Sequence, residues 1–435
     1  MACTGNNATP PSPAIAPGAH DRDPRAIARA LVARFGPAGT DPRLAAHIPG
    51  FDGPFFQAGL AGYSEAPMRL IARRHGCPVC VTEALLDRTL LAGGRGFAKA
   101  DLGDIAGNVP GADDDHPLIG QIMGSDPAEM AAAAVKMVEQ GQRGDRAYRA
   151  DAYAGEAPEW FRPRKNGFVP PEETPDAEPA RTFAAIDVNL ACPVKKIAKK
   201  ARGGHWLAQP EGAIAILRAV RDALPGGIPV TVKMRRSFDD TDEMRDNFLR
   251  IFDASYDMGC AWVCVHGRTV EQKYLGPSRW DPIRELVERR PDAPVLGSGD
   301  VWTAADIFRM IDYTGVAAVS VARGCIGNPW IFRQARTILA GREPAPPTIS
   351  EQRAVLEEHF ALMLADNERR MRGRTQAEKH ERAEGLTGRM MRKFGVRFAA
   401  HHPEPETVKR AFTKVETLEQ WQSVLVEHYE AGVRA

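Results

Sequence analysis

The sequence predicts an α/β protein: a (β/α)8 TIM barrel over residues 48–343, followed by an all-helical domain over 344–435. Residues 1–47 read as a disordered N-terminal extension. Three observations carry this prediction. Eight β-like runs alternate with helix-like stretches, more regularly than a doubly wound sheet requires. Polar and charged residues fall just after those runs, where a barrel opens its active face. A proline-rich linker, Pro344-Ala345-Pro346-Pro347, then gives way to segments of helical period alone.

The elements follow in order. Residues 55–58 form a first strand, and 65–75 carry the apolar period of a helix. Strands are expected at 78–83 and at 117–123. A helix follows over 127–140, with Asp126 as its cap and Pro127 at its first position. Residues 142–182 then interrupt the third unit with Arg, Asp, Pro and Glu and no clear period, an inserted surface loop on the face opposite the active site. The alternation resumes with strands at 184–190, 229–234, 261–266, 294–297 and 316–322. The helices between and after them are expected at 211–224, 243–258, 281–289, 303–313 and 329–339. Beyond the linker, Leu356, Phe360, Leu362, Met363 and Leu364 mark one amphipathic helix, and Leu386, Met390, Met391 and Phe394 mark another.

Composition bounds the function class. With 435 residues, 43% hydrophobic, 26% charged and a formal net charge of +1, this is ordinary globular composition, unlike that of a wholly basic nucleic-acid coat protein. Seven cysteines without a regular framework suit a reducing cytoplasm. No apolar run is long enough for a transmembrane helix, and residues 1–47 lack the apolar centre of a signal peptide. The expected location is cytoplasmic. Cys77-Pro78-Val79-Cys80 has zinc-like spacing, and Cys260 with Cys264 makes another pair. Both pairs reach into apolar β-runs, so no metal is expected.

The segment richest in chemistry is Asp187-Val188-Asn189-Leu190-Ala191-Cys192-Pro193-Val194-Lys195-Lys196. A β-run ends in an amide, then in one thiol, and Lys195, Lys196, Lys199, Lys200 and Arg202 follow. A lone cysteine is most often a small buried hydrophobe. At the mouth of a barrel strand beside positive charge, it points instead to acid–base or covalent chemistry on a polyanion. A second basic stretch, 369–397, holds ten Lys or Arg against three Glu and reads as an RNA-contacting face of the helical domain.

These segments, in order, resemble the tRNA-dihydrouridine synthase family, most closely its bacterial B-type branch. The resemblance runs from about 53 to 430, outside the insertion. It rests on Ala58-Gly59-Leu60-Ala61-Gly62 with Pro67-Met68-Arg69, on Gln121-Ile122-Met123-Gly124-Ser125-Asp126-Pro127, and on the Cys192 segment. Further along it rests on Val232-Lys233-Met234-Arg235, His266-Gly267-Arg268-Thr269, Gly299-Asp300, Asp312-Tyr313-Thr314-Gly315 and Gly327-Asn328-Pro329-Trp330-Ile331-Phe332.

The resemblance implies reduction of a uridine C5–C6 double bond in tRNA, with FMN delivering hydride to C6 and NADPH or NADH recharging it. It implies that Cys192 protonates C5. It places Gly59, Leu60, Ala61, Gln121, Lys233, His266, Ser298, Gly299, Asp300, Ala322 and Arg323 around the flavin. Gln121 and Lys233 lie on its ring, while Gly299, Asp300 and Arg323 lie near its ribityl chain and phosphate. Asn189, Lys195, Lys196, Arg235 and Arg268 fall on the substrate side. The chain departs from the family pattern with Gly59 for a proline, Ala191 and Ala322 for glycines, Ser298 for an asparagine, and bulky His205 and Trp206. The competing readings are a flavin-dependent barrel reductase of a small pyrimidine or enone, and a non-catalytic RNA-binding paralogue. The basic loop and the helical tail favour RNA reduction over the first, and bound flavin would argue against the second.

Overall fold

A computed structural model describes residues 22–91, 115–147, 183–193, 203–370 and 375–430. Short parallel strands form one closed barrel. They are β1 (Phe55–Gln57), β2 (Cys80–Val81), β3 (Leu85–Leu86), β4 (Leu118–Met123), β5 (Ala185–Leu190), β6 (Val230–Arg235), β7 (Trp262–His266), β8 (Val295–Ser298) and β9 (Ala318–Val321). Their order is β2-β1-β9-β8-β7-β6-β5-β4, and β2 pairs with β4 to close the ring; β3 is a two-residue addition at the C-terminal end of β4. Closure leaves eight barrel strands, as the eight alternations predict. The expected run at 78–83 is shorter, ends at Val81, and is followed by β3 as a separate strand.

Register fixes which side chains face inward. Gln121 pairs with Asp187 and Asp187 with Thr231, then Asn189 with Lys233 and Lys233 with Cys264. Arg235 pairs with His266, His266 with Ser298, and Ser298 with Ser320. Because side chains alternate along a strand, these residues line the barrel interior in layers. The lower interior is apolar and includes Phe56, Val81, Ile119, Ala185, Trp262, Leu296 and Ala318. Polarity therefore rises towards the C-terminal ends of the strands, which positions the site there.

The surrounding helices are α1 (Pro24–Phe35), α2 (Pro42–His47), α3 (Ala66–Arg74), α4 (Asp87–Leu91), α5 (Pro127–Ala147), α6 (Pro210–Ala223), α7 (Asp242–Asp257), α8 (Asp281–Arg289), α9 (Ala304–Thr314) and α10 (Trp330–Leu339). The expectation of disorder over 1–47 fails from Pro24 onward. Asp23 and Asp41 cap α1 and α2 through their side chains, with a proline at the first position of each helix. Leu44, Ile48 and Phe51 are fully buried in the same cluster as Phe56 and Trp262, so this segment covers the apolar N-terminal end of the barrel. An open barrel bottom would leave that interior in water, which is the physical reason the segment folds. Residues 1–21 lie outside the described residues. Of the expected insertion, 142–147 belong to α5, and 148–182 lie outside the described residues.

The helical domain comprises α11 (Ile349–Arg370), α12 (Gln376–Phe398), α13 (Pro405–Phe412) and α14 (Leu418–Tyr429). Leu356, Phe360, Met363, Met391, Phe394, Val408, Phe412, Trp421 and Leu425 are among its buried apolar side chains. It packs against the barrel at α3 and α10. Tyr63 meets Phe394 edge-on at 5.5 Å, and Trp330 meets Phe398 at 5.4 Å. Gly327, at φ +66°, permits this approach, since a Cβ there would lie 2.7 Å from the Phe398 nitrogen. Lys393 of the basic stretch is engaged at this contact, 3.0 Å from Glu65 and donating to the Gly62 carbonyl.

Candidate active site

The site forms where β4 to β9 end. At its centre, Asp187 sits fully inside the barrel. Its Oδ1 accepts from the Thr231 hydroxyl at 2.6 Å and its Oδ2 from Gln121 Nε2 at 2.7 Å. Burial pushes this carboxyl up, opposed by those two hydrogen bonds and by the charge of Lys233. One layer higher, Gln121 Oε1 accepts from Asn189 Nδ2 at 2.8 Å. Asn189 Oδ1 in turn accepts the backbone N–H groups of Ala191 at 2.9 Å and Cys192 at 3.1 Å.

Cys192 is half-buried and packs against Ala84, Leu86 and Met123. Its carbonyl accepts from the Gly204 N–H at 2.9 Å, which ties the end of β5 to the residues from Gly203 onward. Trp206 anchors that stretch, its Nε1 donating to the Gly124 carbonyl at 3.0 Å. Gly212 makes room for the indole, because a Cβ there would lie 2.2 Å from it. The bulky residue at 206 is thus a prop for the Cys192 loop. His205 lies edge-on to Phe238 at 5.7 Å. Lys195, Lys196, Lys199, Lys200 and Arg202 lie outside the described residues.

Gly59 closes the β1 side. A Cβ there would lie 2.3 Å from the Thr82 carbonyl and 3.1 Å from Gln121 Oε1, so this chain needs glycine where the family pattern has proline. The Leu60 N–H bonds Ser64 Oγ at 2.9 Å, which holds the turn containing Ala61. Lys233 projects inward on β6, half-buried. Its Nζ lies 3.7 Å from Cys264 Sγ, and no carboxylate within salt-bridge distance is found for it among the described residues. A water-sized cavity beneath is lined by Gln121, Asp187, Thr231, Lys233, Cys264 and Ser320, among others.

On the opposite side, His266 accepts the Arg268 N–H at Nδ1, 3.1 Å away. Burial first, then the charges of Arg235, Lys233, Arg268 and Arg323, hold this imidazole well below its usual range. It is therefore neutral, with its proton on Nε2 and available for donation. Arg268 is buried and forms two bonds to Asp300, at 2.8 and 2.7 Å, while its Nη1 has no hydrogen-bond partner among the described residues. Asp300 also accepts from the Ser278 N–H at 2.6 Å and lies 3.4 Å from Arg323. Gly299 and Asp300 both adopt positive φ, +114° and +54°, and a Cβ on Gly299 would meet Ser278 Oγ at 2.2 Å. Ser298 Oγ donates to the Ser320 carbonyl at 3.2 Å, and Ala322 precedes the short turn Arg323–Cys325.

Arg235 is engaged by its own protein. Its Nε donates to the Ala191 carbonyl at 3.0 Å, and its Nη1 to those of Thr269 and Lys273 at 2.7 Å each. Burial lowers this guanidinium to about 10, so it keeps its charge at neutral pH. Arg268 likewise donates to the Gly276 carbonyl. Together the two arginines hold the loop that carries Tyr274 and the exposed Leu275 at the rim. The structure thus gathers Gln121, Asn189, Cys192, Lys233, Arg235, His266, Arg268, Ser298, Asp300 and Arg323 at one end of the barrel. It adds Asp187 and Thr231, which sequence reasoning does not single out as site residues.

A sequence profile described as Dihydrouridine synthase (Dus) matches residues 176–417, more than half of the chain and the whole span from β5 to the end of α13. The chain belongs to the dihydrouridine synthase family. It is 34% identical over 216 residues to a "Probable tRNA-dihydrouridine synthase" of Mycobacterium leprae, covering 45% of this chain and 55% of that protein. It is 36% identical over 179 residues to a "tRNA-dihydrouridine synthase B" of Shewanella oneidensis, covering 41% and 54%. The chain thus spans about half the length of these two relatives. With a "Probable tRNA-dihydrouridine synthase" of Treponema pallidum it shares 28% identity over 320 residues, covering 72% and 79%.

The donor set fits an FMN of the kind the family resemblance implies. Arg268 and Arg323 share the single carboxylate of Asp300, which leaves net positive charge beside the ends of β8 and β9, a common barrel phosphate site. Lys233, with no carboxylate partner among the described residues, supplies an ammonium at the centre of the mouth, suited to an electron-rich ring edge.

Proposed function

We propose that this protein is a flavin-dependent tRNA-dihydrouridine synthase that reduces the C5–C6 bond of uridines in tRNA. The observation that carries the reading is the placement of Cys192. Its backbone is tied to Asn189 and Gln121, at the barrel mouth that also holds the Lys233 ammonium, in a chain of this family. When bound, FMN supplies hydride to C6 of the uracil after reduction by NADPH or NADH.

The chain's residues do the rest. Lys233 would offer positive charge to the electron-rich edge of the ring, and Gln121 keeps one N–H and one lone pair that could meet the isoalloxazine. His266 donates from Nε2. Asp300 and Arg323 would hold the ribityl chain and phosphate. Gly59, Leu60 and Ala61 close the near wall, while Ser298, Gly299 and Ala322 bring backbone close to the cofactor. Asn189 orients the uracil, and Cys192 holds a proton at Sγ over C5 as general acid, since an ordinary thiol is mostly protonated at neutral pH. Arg235 and Arg268 support the rim loop facing the RNA, and Lys195 and Lys196, outside the described residues, add positive charge to the sequence that follows Cys192. A uridine in folded RNA must leave its stack to reach such a pocket, so phosphate and shape contacts govern recognition.

Incubating purified protein with FMN, NADPH and unmodified tRNA, and scoring nucleosides by mass spectrometry, tests this reading. Dihydrouridine is the expected product. A flavin-bearing protein that oxidises NADPH yet leaves every uridine intact would redirect the reading to a small substrate.

A further inference from the structure

Three hydrogen-bonded steps run in series from the barrel interior to the backbone of the Cys192 loop. Asp187 Oδ2 takes a hydrogen from Gln121 Nε2, Gln121 Oε1 takes one from Asn189 Nδ2, and Asn189 Oδ1 takes those of Ala191 and Cys192. Each side-chain amide could in principle be turned over. The far end removes that freedom, because backbone N–H groups only donate. Asn189 must therefore present its oxygen to them and its nitrogen to Gln121. Gln121 must then present its oxygen to Asn189 and its nitrogen to position 187, where the chain needs a pure acceptor. An ionised carboxylate is such an acceptor in either orientation. Asp187 is also the terminus of the Thr231 bond, so both of its oxygens face donors.

We infer that Asp187 is a positioning residue: its carboxylate supplies, in either orientation, the acceptor that the Gln121–Asn189 chain requires once the Ala191 and Cys192 N–H groups have set its direction, and so holds their backbone in place. A buried carboxylate is costly unless its hydrogen bonds are complete, and here Gln121 and Thr231 complete them. The same polarity decides which atoms Gln121 and Asn189 have left for a ligand. With an asparagine at position 187, either an N–H or a carbonyl can face Gln121. One of the two resulting directions sets Asn189 Nδ2 against the N–H groups of Ala191 and Cys192, and the loop then lets go.

The positioning itself rests on the hydrogen bonds. Its consequence for catalysis rests on the reading of Cys192 as proton donor. Amide hydrogen exchange at Ala191 and Cys192 in the full chain separates the two, since it needs no turnover. Asp187→Asn is expected to speed exchange of both amides about tenfold, the loss of one well-made hydrogen bond. The double variant Asp187→Asn/Asn189→Asp moves the carboxylate to the other end of the chain. The carboxylate now at position 189 accepts from both backbone amides and from Gln121 Nε2, while Gln121 Oε1 accepts from the side-chain amide now at position 187. Every group is paired again, and exchange is expected to return to within about threefold of the wild type. A double variant that exchanges as fast as the single one, or faster, overturns the inference. If the single variant does not fold, a folded double variant with protected amides supports it, and failure of both to fold overturns it. Slow dihydrouridine formation in the single variant with unchanged amide exchange would leave the catalytic reading standing and sink the positioning role.

Discussion

Acidification should loosen the contact between barrel and helical domain, and His359 carries a defined share of that effect. It lies on α11, 2% exposed, with its ring 4.4 Å from that of Phe394, and neither ring nitrogen has a hydrogen-bond partner among the described residues. Burial pushes this imidazole down to about 4, with Glu65 opposing and Lys393 assisting. Unfolded, it titrates near 6.5. The native state therefore holds the ring neutral while the unfolded state takes up a proton. The stability linked to it is complete above about 6.5 and is lost as pH falls towards about 4. Between pH 7 and pH 5 the loss amounts to about 2 kcal/mol. Glu65, whose carboxyl the Lys393 charge holds below its ordinary value against the pull of burial, loses its own contribution only at lower pH. Asp87, pushed up to about 6 by burial, works in the opposite direction but equally in wild type and variant. Urea titrations at pH 7 and pH 5, followed by tryptophan fluorescence, measure the effect, with Trp421 in the helical core and Trp330 at the contact. His266, held well below its ordinary value, and His47, His75, His116 and His401, each lowered by burial, lose stability on acidification in both proteins. The midpoint of His359→Leu should therefore fall less than that of the wild type, by a difference on the order of 1 M. Equal shifts in the two proteins would refute the reasoning.

Other perturbations have equally definite outcomes. Asp300→Ala strips the buried Arg268 of its counter-charge and should cost about 3 to 5 kcal/mol, seen as a lowered urea midpoint and loss of flavin on gel filtration. Gly59→Ala forces a methyl group to within 2.3 Å of the Thr82 carbonyl. It should destabilise by about 1 to 3 kcal/mol and displace Gln121, read as weaker flavin binding by fluorescence titration. Lys233→Met removes an interaction of about 1.5 to 3 kcal/mol with reduced flavin, so the two-electron potential should fall by roughly 30 to 60 mV in a spectroelectrochemical titration. Trp206→Ala leaves the cleft beside Gly212 empty and should cost about 3 to 5 kcal/mol while slowing uridine reduction more than flavin reduction.

The barrel was legible because alternation and strand-end polarity are local properties. The residues from Val230 to Arg235 show both, and their inward set of Thr231, Lys233 and Arg235 follows from period two alone. What a strand-end residue touches is not local. Arg235 and Arg268 read as substrate-side cations, yet Arg235 donates to the carbonyls of Ala191, Thr269 and Lys273, and Arg268 to the Asp300 carboxylate and the Gly276 carbonyl, contacts that most often join loops distant in sequence. Asp187 carries a signal that sequence alone could use: a carboxylate two residues before Asn189 in an apolar strand must share its face and sit one layer deeper. The fold of 24–47 escapes a reading by composition because its Ala and Pro content outweighs Asp23-Pro24 and Asp41-Pro42, each a helix start written in two residues.

Single-turnover reduction of a uridine by the pre-reduced protein, with and without Cys192, tests the central claim most directly. Mixing reduced, flavin-loaded protein with unmodified tRNA and quantifying dihydrouridine over time isolates the step that needs the proton. The account predicts product from the wild type and a rate about 10² to 10⁴ times lower for Cys192→Ala, with flavin content unchanged. Equal rates in the two proteins would contradict it.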